Sequence, residues 1–303
     1  MNLVIEVVDL HKSYGPIRAV DGISFQVEEG EIFGMVGPNG AGKTTTIECV
    51  EGLRRPDRGI IRVLGLDPHR QRYEVRQRIG IQLQEASLPR RLKVWEIMDL
   101  FSSFYRRHVE WLPLLEQMGL NDKLNAYFES LSGGQKRRLF IALALLNDPE
   151  IVFLDELTTG LDPQARRAMW DLVREIRAKG KTVFLTTHYM EEAERLCDRV
   201  AIIDRGKIIA LDRPENLIRS LGAEQRVVFN TSESVEEKLR QVPGVVRIER
   251  IGERVIVYGQ GDRLLSELIN FLEKARINFW DLRFEQPSLE DVFLALTGRE
   301  MRD

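Results

Sequence analysis

At 303 residues the chain is long enough for one large domain and a small one. Its 43% hydrophobic content suits a soluble protein with a packed core, and 44 basic against 47 acidic side chains leave a net charge of −3, without the basic excess of a nucleic-acid binder. The two cysteines, Cys49 and Cys197, have no metal-like or redox-like spacing and read as thiols in a reducing compartment.

The opening MNLVIEVVDLHK has acidic residues where a secretory signal needs a basic and then an apolar run. Apolar stretches such as IALALL and IVFL fall far short of the roughly 20 residues that span a bilayer. The expectation is a cytosolic chain; at a membrane, another polypeptide must supply the spans. Leu3–Val8 and Arg18–Val27 read as strands separated by the turn-like KSYGP. After Glu29-Gly30 the run IFGMVG reads as a buried strand leading into GPNGAGKTT, Gly37 to Thr45, and Thr44–Gly52 has helical spacing. From about residue 85 to 146 the character is helical, with Leu92, Trp95, Met98, Phe101 and Tyr105 forming a wide apolar face. Strands return at Ile151–Glu156, Thr182–Thr187 and Arg199–Asp204, with a helix over Pro163–Ala178. Apolar strands alternating with helices predict an α/β fold with a parallel sheet covered on both faces.

The pattern breaks near Leu221-Gly222-Ala223. Beyond it strand, helix, strand, strand, helix and strand follow in the βαββαβ order of a ferredoxin-like split unit, then a last helix over Leu289–Leu296. Two domains are expected, 1–222 and 223–303, the second small and α+β.

GPNGAGKT fits G-x-x-x-x-G-K-[ST] between a strand and a helix. Its glycines let backbone N–H groups converge on phosphate oxygens, and the helix N-terminus adds positive potential. Lys43 then reaches the outer phosphates, and the Thr44 hydroxyl is placed to ligate Mg²⁺. IVFLDE puts Asp155 and Glu156 at the C-terminal end of a buried strand, where open α/β sheets bind ligands. Adjacent residues of a strand face opposite ways, so the two acids cannot share one task while both are in a regular strand. Asp155 suits the metal side and Glu156 a hydrolytic water. His188 ends another strand and suits a polar contact to the terminal phosphate or attacking water. In LSGGQ, Ser132 is placed to N-cap a helix, with Gly133 and Gly134 allowing close approach of a backbone. Gln135 precedes Asp155 by twenty residues, room for one helix and a turn.

This ordered set resembles the ATP-binding cassette family: the phosphate loop, a glutamine after a strand (Gln84 in IGIQLQEA), LSGGQ, IVFLDE, TTGLD and a strand-end histidine. The resemblance covers residues 1–220. It implies a P-loop NTPase fold with a parallel-sheet core, an antiparallel β subdomain and a helical subdomain. It also implies that ATP is held by Gly37, Pro38, Asn39, Gly40, Ala41, Gly42, Lys43, Thr44 and Thr45, with Tyr14 on the adenine. Mg²⁺ would be met by Thr44, Gln84 and Asp155, with Gln84 also sensing a membrane partner. Glu156 would be the general base, assisted by His188 and Gln84. Ser132, Gly133, Gly134 and Gln135 of one subunit would close on the ATP held by Lys43 of another, with Asp162 in the loop facing that subunit.

There are departures. Leu157 stands where the family usually has proline after the glutamate, and Thr159 where serine is commoner; leucine does not fix φ, which predicts a less rigid loop. Gln82 lies near Gln84, but the QE pair before a turn favours Gln84. DNA-repair and chromosome-organising members carry a coiled coil between the phosphate loop and LSGGQ, and no heptad run stands here. Translation factors carry two cassettes, and each motif occurs once. The tail PSLEDVFLALTG, Pro287–Gly298, resembles the end of the extra domain on ATPase subunits of daunorubicin-type multidrug exporters. That implies a separate ABC-2-type permease, ATPase activity coupled to transport, a homodimer on the inner face of the membrane, and no nucleic-acid partner. The aromatic-rich Trp95–Tyr105 region reads either as a permease docking site or as core. The C-terminal domain reads as a dimer-stabilising module.

Overall fold

The computed structural model describes residues 2–82, 88–220, 225–261, 263–285 and 287–298. The chain divides into two compact units, the first running to Pro214 and the second starting at Glu215. The division falls ahead of the expected 222/223 boundary, assigning all but the first residue of a short helix (Pro214–Ser220) to the second unit.

The first unit opens with β1 (Leu3–Tyr14), β2 (Ile17–Glu28), β3 (Ile32–Val36), α1 (Lys43–Val50), β4 (Arg58–Val63), α2 (Arg72–Arg76) and β5 (Ile79–Gln82). The helical stretch follows as α3 (Val94–Ser102), α4 (Trp111–Gln117) and α5 (Gly133–Leu145). The unit then closes with β6 (Ile151–Asp155), α6 (Pro163–Ala178), β7 (Thr182–Thr187), α7 (Met190–Leu196), β8 (Arg199–Asp204) and β9 (Lys207–Asp212). Six strands form the central sheet in the order β5-β6-β7-β3-β8-β9. All its neighbours are parallel except the β8–β9 pair. The strands β3, β6 and β7 are buried along their whole length, as their unbroken apolar runs require. Because they run parallel, their C-terminal ends lie along one edge of the sheet.

A separate antiparallel sheet has the order β2-β1-β4. Here β1 extends to Tyr14, well past Val8, because it pairs with β2 on one side and β4 on the other. β4 was not legible in the sequence: only Ile61 and Val63 of its six residues are buried, and two arginines stand among the rest. α3 is shorter than the apolar spacing suggested. Its buried face is Val94, Ile97 and Met98, while Trp95 is exposed.

The second unit comprises α8 (Pro214–Ser220), β10 (Gln225–Asn230), α9 (Glu236–Leu239), β11 (Val245–Ile251), β12 (Arg254–Gly259), α10 (Leu264–Lys274), β13 (Trp280–Glu285) and α11 (Leu289–Thr297). Its sheet has the order β11-β12-β10-β13 with every pair antiparallel, so each helical crossover skips one strand. Val227, Phe229, Val255 and Val257 pack with Leu239, Leu264, Leu268 and Leu272 into a core of its own.

One buried group in the first unit carries a measurable cost. Glu51 follows α1, is 1% exposed, and has no hydrogen-bond partner for either carboxylate oxygen among the described residues. Burial pushes its pKa well above the ordinary carboxylate range, with Asp155 and Glu48 adding repulsion. A folded-state pKa raised in this way gives stability that is full below the unfolded value of about 4.3 and declines as pH rises. Glu51→Gln removes that titration. Its Tm should match the parent near pH 4 and exceed it increasingly toward pH 8; a pH-independent offset between the two melting curves would contradict this.

Candidate functional site

The loop between β3 and α1 is shaped by close backbone approach. A Cβ at Gly37 would lie 2.1 Å from the Ile203 carbonyl oxygen, and one at Gly42 would lie 2.3 Å from that of Ala19. Gly42 also has φ 108, and Gly40 takes φ 79 at the exposed turn. Ala41 is buried, while Pro38 and Asn39 lie on the rim. α1 starts at Lys43 with no side-chain cap, so its first backbone N–H groups are open to an anion. Thr44 and Thr45 stand half-buried on its first turn.

Lys43 is only 4% exposed. Its Nζ donates to Gly37 O at 2.8 Å and Pro38 O at 3.2 Å, and lies 3.4 Å from Glu156 Oε1. Burial pulls the ammonium below its usual pKa, against the pull of Glu156. Asp155 ends β6, is buried, and accepts a hydrogen bond from the Thr186 hydroxyl, with the Thr44 side chain also in reach. Burial raises its pKa, opposed by the Thr186 bond and augmented by repulsion from Glu156.

Glu156 leaves the strand. Its φ of 47 turns the chain into the left-handed region, a conformation that costs a non-glycine residue about 1–2 kcal/mol. Its N–H donates to both Thr186 O and Thr186 Oγ1 at 3.1 Å, which holds the turn against β7. The two acids therefore escape the alternation of a regular strand. Glu156 Oε2 accepts from Thr159 Oγ1 at 3.2 Å and lies 3.5 Å from His188 Nδ1. Lys43, Asp155, Glu156 and His188 thus form one cluster at the strand ends, with Thr44 beside it.

The loop beyond Glu156 lacks proline but is anchored otherwise. Leu157 is buried, and Arg137 donates to Leu157 O at 2.5 Å and Thr159 O at 2.8 Å. Arg137 was missed in the sequence, where it looks like one of three ordinary basic residues opening α5. Thr186 was missed likewise, inside an apolar strand run.

The LSGGQ turn is a separate feature. Ser132 N-caps α5, accepting from Gln135 N–H at 3.3 Å, while Gln135 Oε1 accepts from Ser132 N–H at 2.9 Å. Asp162 caps α6, its carboxylate accepting from the N–H groups of Gln164 and Ala165 at 2.9 Å. Gly134 and Asp162 line one cleft of about 310 Å³. Among the described residues no hydrogen bond or ion pair joins Ser132–Gln135 to Gly37–Thr45. Tyr14 is exposed at the end of β1, with Arg54 5.2 Å and Lys12 5.7 Å from its ring centre. Gln84 lies outside the described residues.

Comparison with known proteins agrees with this geometry. The family model described as ABC transporter matches residues 20–159. The Nod factor export ATP-binding protein I of Paraburkholderia xenovorans is 42% identical over 99% of this chain and 98% of its own length. Its namesake in Rhizobium meliloti strain 1021 is 41% identical over 99% of this chain and 90% of its own. Among solved structures, an ATP-binding subunit of an ABC transporter is 30% identical, with a TM-score of 0.66 over 72% of this chain and 93% of that one. A dimeric bacterial ABC transporter cassette is 26% identical, with a TM-score of 0.62 over 69% of this chain and 98% of that one. The chain belongs to the ABC transporter family, as one of the ATP-binding subunits that hydrolyse ATP.

Proposed function

We propose that this chain is the ATPase subunit of an exporter, and that two copies close on two ATP molecules and reopen after hydrolysis to drive a separate ABC-2-type permease. The observation that carries this reading is the coexistence of two complementary half-sites in one chain. Lys43, Asp155 and Glu156 form the first. LSGGQ forms the second: a Cβ added at Gly133 or Gly134 would meet nothing within 4 Å, and neither glycine has positive φ. Neither packing nor strain inside the chain calls for glycine there; room for a phosphate group held by another subunit does. Likeness to export ATP-binding proteins over nearly the full length, and to a dimeric cassette, supports the assignment. Among the described residues no helix is long and apolar enough to cross a membrane. We therefore assign the chain to the inner membrane face through its permease, which also selects the cargo. The multidrug-type tail is consistent with that arrangement. The second unit, residues 223–303 by sequence, is assigned to stabilising the dimer.

The donor set suits Mg²⁺. Asp155, a buried carboxyl at the strand end with the Thr44 hydroxyl in reach, offers the oxygen donors that a hard divalent cation takes, and these two residues would hold it, joined by Gln84. The bound ion supplies charge neutralisation at the phosphates. Lys43 exchanges its two carbonyl acceptors for phosphate oxygens of the nucleotide. Glu156, braced by Thr159 and near His188, orients the attacking water and takes its proton, while His188 contacts the terminal phosphate. Tyr14 offers its ring to the adenine. Asp162, at the cleft it shares with Gly134, faces the second copy.

Glu156→Gln should cut hydrolysis by roughly a hundredfold or more while retaining ATP, and should elute as a dimer when ATP is present. Hydrolysis at the parent rate would remove Glu156 from the role of base. Arg137→Ala should lower kcat by about ten- to a hundredfold, through misplacement of the loop, with little change in ATP affinity. A weakened affinity at unchanged kcat would show that Arg137 acts elsewhere.

A further inference from the structure

The strongest feature unused by the ATP site is a concentration of charge. Between Arg54 and Arg78 the chain carries eight arginines, no lysine and three carboxylates, although the molecule as a whole is net negative at −3. β4 exposes Arg58, Ile60 and Arg62 on one side while burying Ile61 and Val63 on the other. Together with Arg55, Arg70 and Arg72 these side chains line a groove of about 590 Å³. Arg58 is paired with Asp9 at 3.1 Å, and Arg70 stands 3.7 Å from Asp67. Arg55, Arg62 and Arg72 have no carboxylate within ion-pair distance among the described residues.

Three guanidinium groups without an ion-pair partner among the described residues leave the groove net positive, with five arginines against Asp57 and Asp67 along its lining. Arginine's planar fork binds phosphate oxygens two at a time and sheds its water more readily than an ammonium does. Ile60, 56% exposed at the middle of the patch, sets an apolar side chain among these charges. Basic clusters of this size on proteins held at a cytoplasmic leaflet are drawn to anionic lipids. A purely soluble acidic partner would explain the arginines but gives the exposed isoleucine no role.

We propose that the groove between β4 and the Asp67–Arg72 turn binds the phosphate headgroups of anionic phospholipids, seating the first unit against the bilayer. The proposal rests on the exporter reading for its setting, but the binding itself needs neither permease nor ATP. The test is co-sedimentation of the full chain with vesicles of phosphatidylcholine alone, or of phosphatidylcholine and phosphatidylglycerol mixed two to one. The chain should associate with the mixed vesicles and not with the neutral ones, and added salt should weaken the association. The triple variant Arg55→Gln, Arg62→Gln, Arg72→Gln should lose that association by roughly tenfold or more. It should still hydrolyse ATP in solution, which shows the fold to be intact. The corresponding triple lysine variant, which keeps the charge, should retain most of the association, and Arg62→Gln alone should fall between. Equal binding to neutral vesicles, undiminished binding by the glutamine triple, or tighter binding of a glutamate-rich peptide or a short RNA than of the anionic vesicles at matched charge would overturn the proposal. The exporter reading fails on a different observation, the absence of hydrolysis by the parent chain.

Discussion

The burial of Lys43 is the constraint on which the first unit depends. Taking an ammonium group out of water costs several kcal/mol unless it is paired and hydrogen-bonded. Here the compensation is two backbone carbonyls and one carboxylate, all within 3.4 Å of Nζ. Presenting those carbonyls requires the loop to curl tightly over the start of α1. That curl is possible because Gly37 and Gly42 press directly against the backbone of Ile203 and Ala19. The Ile203 contact exists because β3 pairs with β8, whereas Ala19 comes from β2 of the antiparallel sheet. Sheet order, glycines and ammonium form one arrangement, and a phosphate group entering it would find a cation already desolvated.

A second consequence concerns communication within the chain. Arg137 stands one turn into α5, whose first residues are the LSGGQ turn, and it holds the carbonyls on both sides of Thr158 in the loop that follows Glu156. Burial makes this guanidinium costly to leave unpaired. A group that docks on Ser132–Gln135 therefore meets a helix that also holds the loop after Glu156, the proposed base, in the same chain. In a two-copy assembly, each ATP would be felt at both active sites.

Much of this was legible in the sequence, for physical reasons that differ by element. The buried strands announced themselves because residues covered on both faces must be apolar throughout, as in IFGMV and IVFLD. The capped start of α5 was marked by Ser132 and the start of α6 by Pro163, whereas the capping role of Asp162 came only with the structure. The edge strand β4 was not readable, since a strand with one wet face and polar interruptions loses its signature. The positive φ of Glu156 could not be read either. It goes with a hydrogen bond to Thr186, thirty residues away, and takes Glu156 out of the strand alternation that Asp155 keeps. The anchoring of the loop at Leu157 was hidden for a similar reason: it rests on Arg137 and on burial, not on a residue with restricted φ.

On the proposed mechanism, the two glycine-rich turns, separate within one chain, meet across two chains on one ATP. Site-directed crosslinking tests this most directly. Both native cysteines are buried, so cysteines introduced at the exposed Asn39 and Ser132 positions can be read without interference. In a mixture of an Asn39→Cys chain and a Ser132→Cys chain, a crosslinked heterodimer should form with a non-hydrolysable ATP analogue and be lost without nucleotide. A yield independent of nucleotide, or no heterodimer even when nucleotide is bound, would contradict the shared site.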